Sequence, residues 1–145
     1  MTEQRQGDKA GGVLRPAGLI ADFVGRRTWA VVGASQDPSK FGSRVFRSLR
    51  DAGYTVYPVN PKRGELDGAE VYRSLADLPE RPEVVDLVVP PAVTEQVVRE
   101  AHHLGLTRIW MQPGAESQAA IDYCHQHSIQ VVYDACAMVW KRQWN

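Results

Sequence analysis

Thr28-Trp29-Ala30-Val31-Val32-Gly33-Ala34-Ser35-Gln36-Asp37-Pro38-Ser39-Lys40-Phe41-Gly42 is the stretch on which the fold turns. Thr28 to Val32 is an apolar run without polar alternation, the pattern of a strand buried on both faces. Gly33 permits a tight turn, and a helix is expected from about Phe41 to Ala52. Val45, Phe46, Leu49 and Ala52 share one face of it, and Gly53 stands ready to end it. Strand, turn and helix in this order resemble a nucleotide-binding βα unit. The loop nevertheless fails as a dinucleotide fingerprint, because Ser35 and Pro38 occupy glycine positions. It fails as a Walker loop too, since Pro38 and Ser39 replace glycine and lysine. The shared physics survives: N–H groups at a helix start favour an anion, with Ser35, Ser39 and Lys40 beside them. An ordinary βα turn with a capping serine is the plain alternative.

Outward from this unit, strands and helices alternate. Leu19, Ile20, Phe23 and Val24 have helical spacing before Gly25, and Thr55 to Val59 forms a second strand. Glu70-Val71-Tyr72 reads as a short strand, with a brief helix around Ser74 to Leu78. Val84 to Val89 is another apolar strand, followed by a helix from about Val93 to Leu104. Arg108 to Met111, Ser117 to His127 and Ile129 to Tyr133 continue as strand, helix and strand. The pattern predicts an α/β fold: one doubly wound parallel sheet, in the order 3-2-1-4-5-6, with the Val71 strand at an edge. Residues 1–16 read as a flexible arm and 17–145 as the domain.

The end of the second strand, Tyr57-Pro58-Val59-Asn60-Pro61-Lys62, is the most telling about ligands. An NAD-preferring domain usually places an acidic residue there, for the ribose hydroxyls. Asn60 followed by Lys62 suggests instead a ligand with phosphate near its ribose, as in coenzyme A. An Asn-Pro turn with a solvated lysine is the alternative. Val89-Pro90-Pro91 closes a further strand with an apolar rim suited to adenine or pantetheine, or simply terminates it. Gln112, before Pro113-Gly114, offers an amide to pantetheine or phosphate, or marks a turn.

The run Val31-Val32-Gly33-Ala34-Ser35, the Tyr57 to Lys62 segment, Val85-Asp86-Leu87 and Asp134-x-Cys136 together resemble the small stand-alone CoA-binding proteins. Those are similar to the N-terminal domain of the succinyl-CoA synthetase α subunit and of ADP-forming acyl-CoA synthetases. The resemblance covers about residues 20 to 142 and implies a Rossmann-like fold that binds coenzyme A or an acyl-CoA. The implied binding positions are Gly33, Ala34, Ser35, Lys40, Phe41, Gly42, Asn60, Pro61, Lys62, Pro90, Pro91 and Gln112. The synthetases transfer a phosphoryl group through a histidine of another domain, and a chain of 145 residues has no room for one. No complete catalytic site is therefore expected. Two departures are visible: Ala135 replaces the arginine of an Asp-Arg-Cys motif, and Trp140 stands where an acidic residue is common.

Seventeen basic and seventeen acidic side chains give zero formal net charge, so nothing points to nucleic acid or an anionic membrane surface. There is no twenty-residue apolar run and no signal-peptide pattern, and the two cysteines make no zinc or disulfide framework. A cytoplasmic protein with free thiols is expected. The histidines lack same-face metal spacing and read as exposed, and Cys136 is the one side chain with latent chemistry toward the CoA thiol, a small buried apolar residue being the plainer alternative. An NAD(P)-binding oxidoreductase or redox sensor is the rival reading. A ligand-free interaction module is the third, since Met138, Val139, Trp140 and Trp144 make an apolar tail suited to packing back or to a homodimer contact.

Overall fold

The computed structural model describes residues 9–10, 13–14 and 16–144. Most of the expected arm lies outside the described residues; within it, Lys9–Ala10 pairs antiparallel with Val13–Leu14. Five strands form the main sheet: β1 (Thr28–Val32), β2 (Thr55–Val59), β3 (Val84–Leu87), β4 (Arg108–Met111) and β5 (Gln130–Val132). All pair in parallel, in the order β2-β1-β3-β4-β5. The helices are α1 (Pro16–Val24), α2 (Phe41–Asp51), α3 (Pro91–His103), α4 (Gln118–Gln126) and the single turn α5 (Ala137–Trp140).

Helices cover both faces, which is why the strands are largely apolar. Ala30, Val32, Val85, Leu87, Ile109 and Met111 face α3 and α4, meeting Val97, Val98, Ala101, Ala120, Ile121 and Cys124. Trp29, Val31, Val84 and Trp110 face the other way, against Phe23 of α1, Val45, Phe46 and Leu49 of α2, and Ala137 of α5. Trp29 and Trp110 meet at 5.7 Å between ring centroids, with Phe23 and Tyr54 closing the cluster.

The outermost strand is not a ladder. Val71 pairs with Gly64 in a hairpin of Gly64–Leu66 and Ala69–Val71, and the sheet edge is held by a single parallel bridge between Val59 and Tyr72. Asp67 and Gly68 both have positive φ, the two-residue turn that folds a strand back on itself. Local hairpin chemistry thus captures the residues that a sixth strand would have used.

The tail packs and exposes at once. Trp144 N–H donates to the Ala52 carbonyl at 2.8 Å, Arg142 N–H to the Tyr54 hydroxyl at 3.0 Å, and the Trp144 ring meets Tyr54 edge-on. Val139 and Trp140 remain 76% and 50% exposed.

Asp86 sits in the middle of β3, fully buried between Val31 and Trp110, and neither carboxyl oxygen has a hydrogen-bond partner among the described residues. Burial pushes its pKa well above the ordinary 3.8, because the charged form would lose its hydration. A raised folded pKa means that stability is complete below the ordinary value and is lost as pH climbs toward the raised one. Asp86→Asn should therefore melt above the parent at neutral pH, with the difference closing toward about pH 4. Thermal denaturation across that range measures it, and coincident curves at neutral pH would contradict the burial argument.

Candidate functional site

Three chain segments converge where β1 ends. Gly33 has φ +110°, and a Cβ there would collide with the carbonyl of Val88, just after β3. A Cβ on Gly42, in the first turn of α2, would collide with the carbonyl of Gly33. Gly33 N–H donates to the Val59 carbonyl at 2.9 Å, which ties the turn to the tip of β2. These contacts set the amino end of α2 against the tips of β1, β2 and β3, and Ala34 is buried beneath them.

A buried serine that the sequence reading missed braces the loop. The Ser43 hydroxyl oxygen lies 2.9 Å from the Ser35 carbonyl and 2.8 Å from the Asp37 carbonyl, its single proton serving either. It also accepts from Ser35 N–H at 3.2 Å. The available signal was its place on the buried side of α2, where an unpartnered hydroxyl would be costly. Asp37 is a second organiser: its carboxylate accepts from both the N–H and the hydroxyl of Ser39, at 3.0 and 2.7 Å, and these bonds hold its pKa below the ordinary value. The Ser39 hydroxyl is therefore committed to Asp37, whereas Ser35 accepts from Asp37 N–H and keeps its own proton to give. Lys40 caps α2 without a side-chain hydrogen bond. The first-turn N–H groups of Phe41, Gly42 and Ser43 have no intrahelical acceptor.

At the tip of β2, the Asn60 side-chain oxygen accepts from Lys62 N–H at 2.9 Å, turning the chain and leaving the amide NH2 available. The two tips share one open cleft of about 320 Å³, lined by Ser35, Gln36, Asp37, Lys40, Asn60 and Lys62. Four of the expected residues thus meet: Ser35, Lys40, Asn60 and Lys62. Gln36 and Asp37 join them unpredicted. Gly33, Ala34 and Gly42 build the packing behind the cleft, Phe41 stands half-exposed at the helix start, and Pro61 is exposed on the turn without lining it.

A second opening of about 240 Å³ lies against the tip of β3, lined by Val88, Val89, Pro90, Pro113, Gly114 and Ala115. Pro90 is the residue preceding α3 and Pro91 its first residue, so α3 begins two residues earlier than the spacing predicted. Proline suits that place because the first helical N–H has no intrahelical acceptor. Gln112 is a correction. It is fully buried, its NH2 donating to Cys136 Sγ at 3.3 Å and its oxygen accepting from Ala137 N–H at 2.9 Å. It anchors the start of α5 and is not presented to either opening. The histidine reading also changes: His102 and His127 are half-buried and meet at 4.4 Å between centroids, beside Tyr123.

The donor set matches a nucleotide polyphosphate: two lysine ammonium groups, an amide, a hydroxyl and free helix-start N–H groups around a turn where the backbone is bare of side chains. The family described as CoA binding domain matches residues 27–142. The chain belongs to that family. Among relatives of this CoA-binding domain is the α subunit of ADP-forming acetate–CoA ligase II from Pyrococcus furiosus. It is 26% identical over 138 residues, covering 88% of this chain and 30% of that subunit. A hypothetical protein from Pyrococcus horikoshii OT3 is 33% identical, covering 97% of this chain and 96% of its own, at a TM-score of 0.81. The apo form of the dinucleotide-forming acetyl-coenzyme A synthetase 1 of Ca. Korarchaeum cryptofilum is 30% identical, with 72% and 25% covered and a TM-score of 0.61. The chain therefore spans under a third of the ligase subunit and of the synthetase, while matching the Pyrococcus horikoshii chain nearly end to end.

Removing the Ser43 hydroxyl strips the loop of its brace. Ser43→Ala is expected to cost about 1–3 kcal/mol of stability, the range for leaving buried polar groups unpaired. Chemical denaturation at equilibrium measures it, and a loss below about 0.5 kcal/mol would mean that the loop holds its shape without this residue.

Proposed function

We propose that this domain binds coenzyme A or an acyl-CoA across the carboxyl edge of the sheet and does not itself make or break bonds in it. The observation that carries this reading is the cleft shared by the Gly33–Gly42 loop and the Asn60–Lys62 turn, in a chain of the CoA binding domain family. The loop and the first turn of α2 would take the pyrophosphate through N–H groups, with Lys40 alongside. Lys62 would take the ribose phosphate. The apolar opening beside Val89 and Pro90 would take the less polar part of the cofactor.

The lining residues are suited to holding and orienting. Asp37 is the one carboxylate of the first cleft, and Ser39 already fixes it in its ionised form. NADP carries a phosphate on its ribose too, so Lys62 alone would serve either ligand. The family match and the ligase relatives favour coenzyme A over the nicotinamide cofactor.

Lys62→Ala should weaken CoA binding by about 1.5–3 kcal/mol in calorimetry at low, fixed salt, as expected for loss of a charged hydrogen bond. Undiminished affinity would remove Lys62 from the site. In a thermal-shift comparison of CoA, acetyl-CoA, NAD and NADP, the CoA compounds should raise the melting temperature and the nicotinamide dinucleotides should not. The opposite ranking would reverse the assignment.

A further inference from the structure

The contact between His102 and His127 joins the carboxyl ends of α3 and α4. His102 is the last residue but one of α3, and His127 directly follows α4. From these positions the chain enters β4 at Arg108 and β5 at Gln130. The pair therefore sits at the amino edge of the sheet, across the domain from the cleft at the strand tips. Nothing assigned above uses it.

Both rings are held by the same residue, and both through Nδ1. His127 Nδ1 lies 2.8 Å from the Tyr123 carbonyl. A carbonyl only accepts, so this nitrogen carries the proton, and the neutral ring keeps its lone pair on Nε2. His102 Nδ1 lies 3.1 Å from the Tyr123 hydroxyl, whose oxygen can accept in the same way. Among the described residues neither Nε2 has a hydrogen-bond partner. An imidazole anchored at one nitrogen to a protein oxygen, with the other unspent, is the usual arrangement of a metal-ligating histidine.

The spacing agrees. The ring centroids are 4.4 Å apart, tilted by 54°. Two imidazoles sharing an ion at about 2.0–2.1 Å from each nitrogen have centres roughly 4.5 Å apart when the angle at the ion is a right angle. Both rings are half-buried, so solvent reaches them. The last carbonyls of α3 and α4 add negative partial charge, which favours a cation between the helix ends. Arg99 opposes it, with its guanidinium 5.5 Å from the centre of the Tyr123 ring. Neutral nitrogen donors are poor ligands for calcium or magnesium and suit zinc, nickel or copper.

We propose that His102 and His127 bind a divalent transition-metal ion through their Nε2 atoms, bridging the ends of α3 and α4. Tyr123 is the positioning residue for both rings. No third His, Cys, Asp or Glu completes a group among the described residues, so water supplies the remaining ligands. This site is independent of the CoA reading and stands or falls without it.

The test titrates zinc into the full chain, free of any affinity tag, by calorimetry at neutral pH. The parent should bind one ion, and zinc should raise its melting temperature. His102→Gln and His127→Gln should each weaken zinc binding at least tenfold, no less than losing an outer-shell partner costs, and Tyr123→Phe should weaken it about tenfold through His102. His125→Gln, on an exposed ring outside the pair, should bind as the parent does. NMR of the parent gives a readout that depends on no variant: zinc should move the Nε2 resonances of His102 and His127 and leave those of His103 and His125 in place. A parent that takes up no zinc overturns the proposal. So does undiminished binding in a folded His102→Gln or His127→Gln protein, or a titration in which only His103 and His125 respond.

Discussion

Backbone packed on backbone at Gly33 and Gly42 is the constraint from which the rest of the molecule is arranged. The turn after β1 has no room for one methyl group on either side, against Val88 in one direction and the start of α2 in the other. Such contacts add little stability by themselves, and glycine costs entropy to order. They contribute position. With α2 driven against the strand tips, its uncapped amino end must open on the same edge as the turn after β2. Ser43 then satisfies the polar groups that the tight loop would otherwise leave buried and bare. The first cleft is a consequence of that compression.

The electrostatics of the cleft are mixed. Lys40 and Lys62 line it together with Asp37, whose ionised state is held by Ser39. Binding therefore depends on where the charges sit as well as on their sum. The Asp37 carboxylate is committed to Ser39 of its own loop, while the two lysines form no ion pair among the described residues and retain their donors. Local hydrogen bonding separates the one organising anion from the cations available to a ligand.

The strands and their helices could be read from the chain because burial on both faces leaves uninterrupted apolar runs. The bounds held to the residue for Thr28–Val32 and Arg108–Met111, and also for the edge strand Thr55–Val59, of which only Pro58 and Val59 are buried. The edge could not be read that way. Val71 has the character of a strand residue, but Asp67-Gly68 directs it into a hairpin, a signal present in the sequence and outweighed there by the expected sheet order. Gln112 shows how a correct strand end can still give a wrong side chain. Counting by twos from Trp110 places Gln112 on the face covered by α5 and the tail, and that is where its amide is spent. Ser43 and the His102–His127 contact were illegible for another reason: each depends on which distant segment arrives opposite it.

The two ends of α2 mark the two ends of the molecule, and the tail is fastened to the one remote from the cleft. Trp144 is hydrogen-bonded to Ala52, and Gly53 accepts from Arg27 at the very start of β1. Trp144 thus lies at the amino edge of the sheet, while Lys40 and Lys62 lie at the carboxyl edge. A reporter dye attached at the Trp144 position would sit at the base of the domain, so immobilisation through it leaves the opposite rim turned toward solvent.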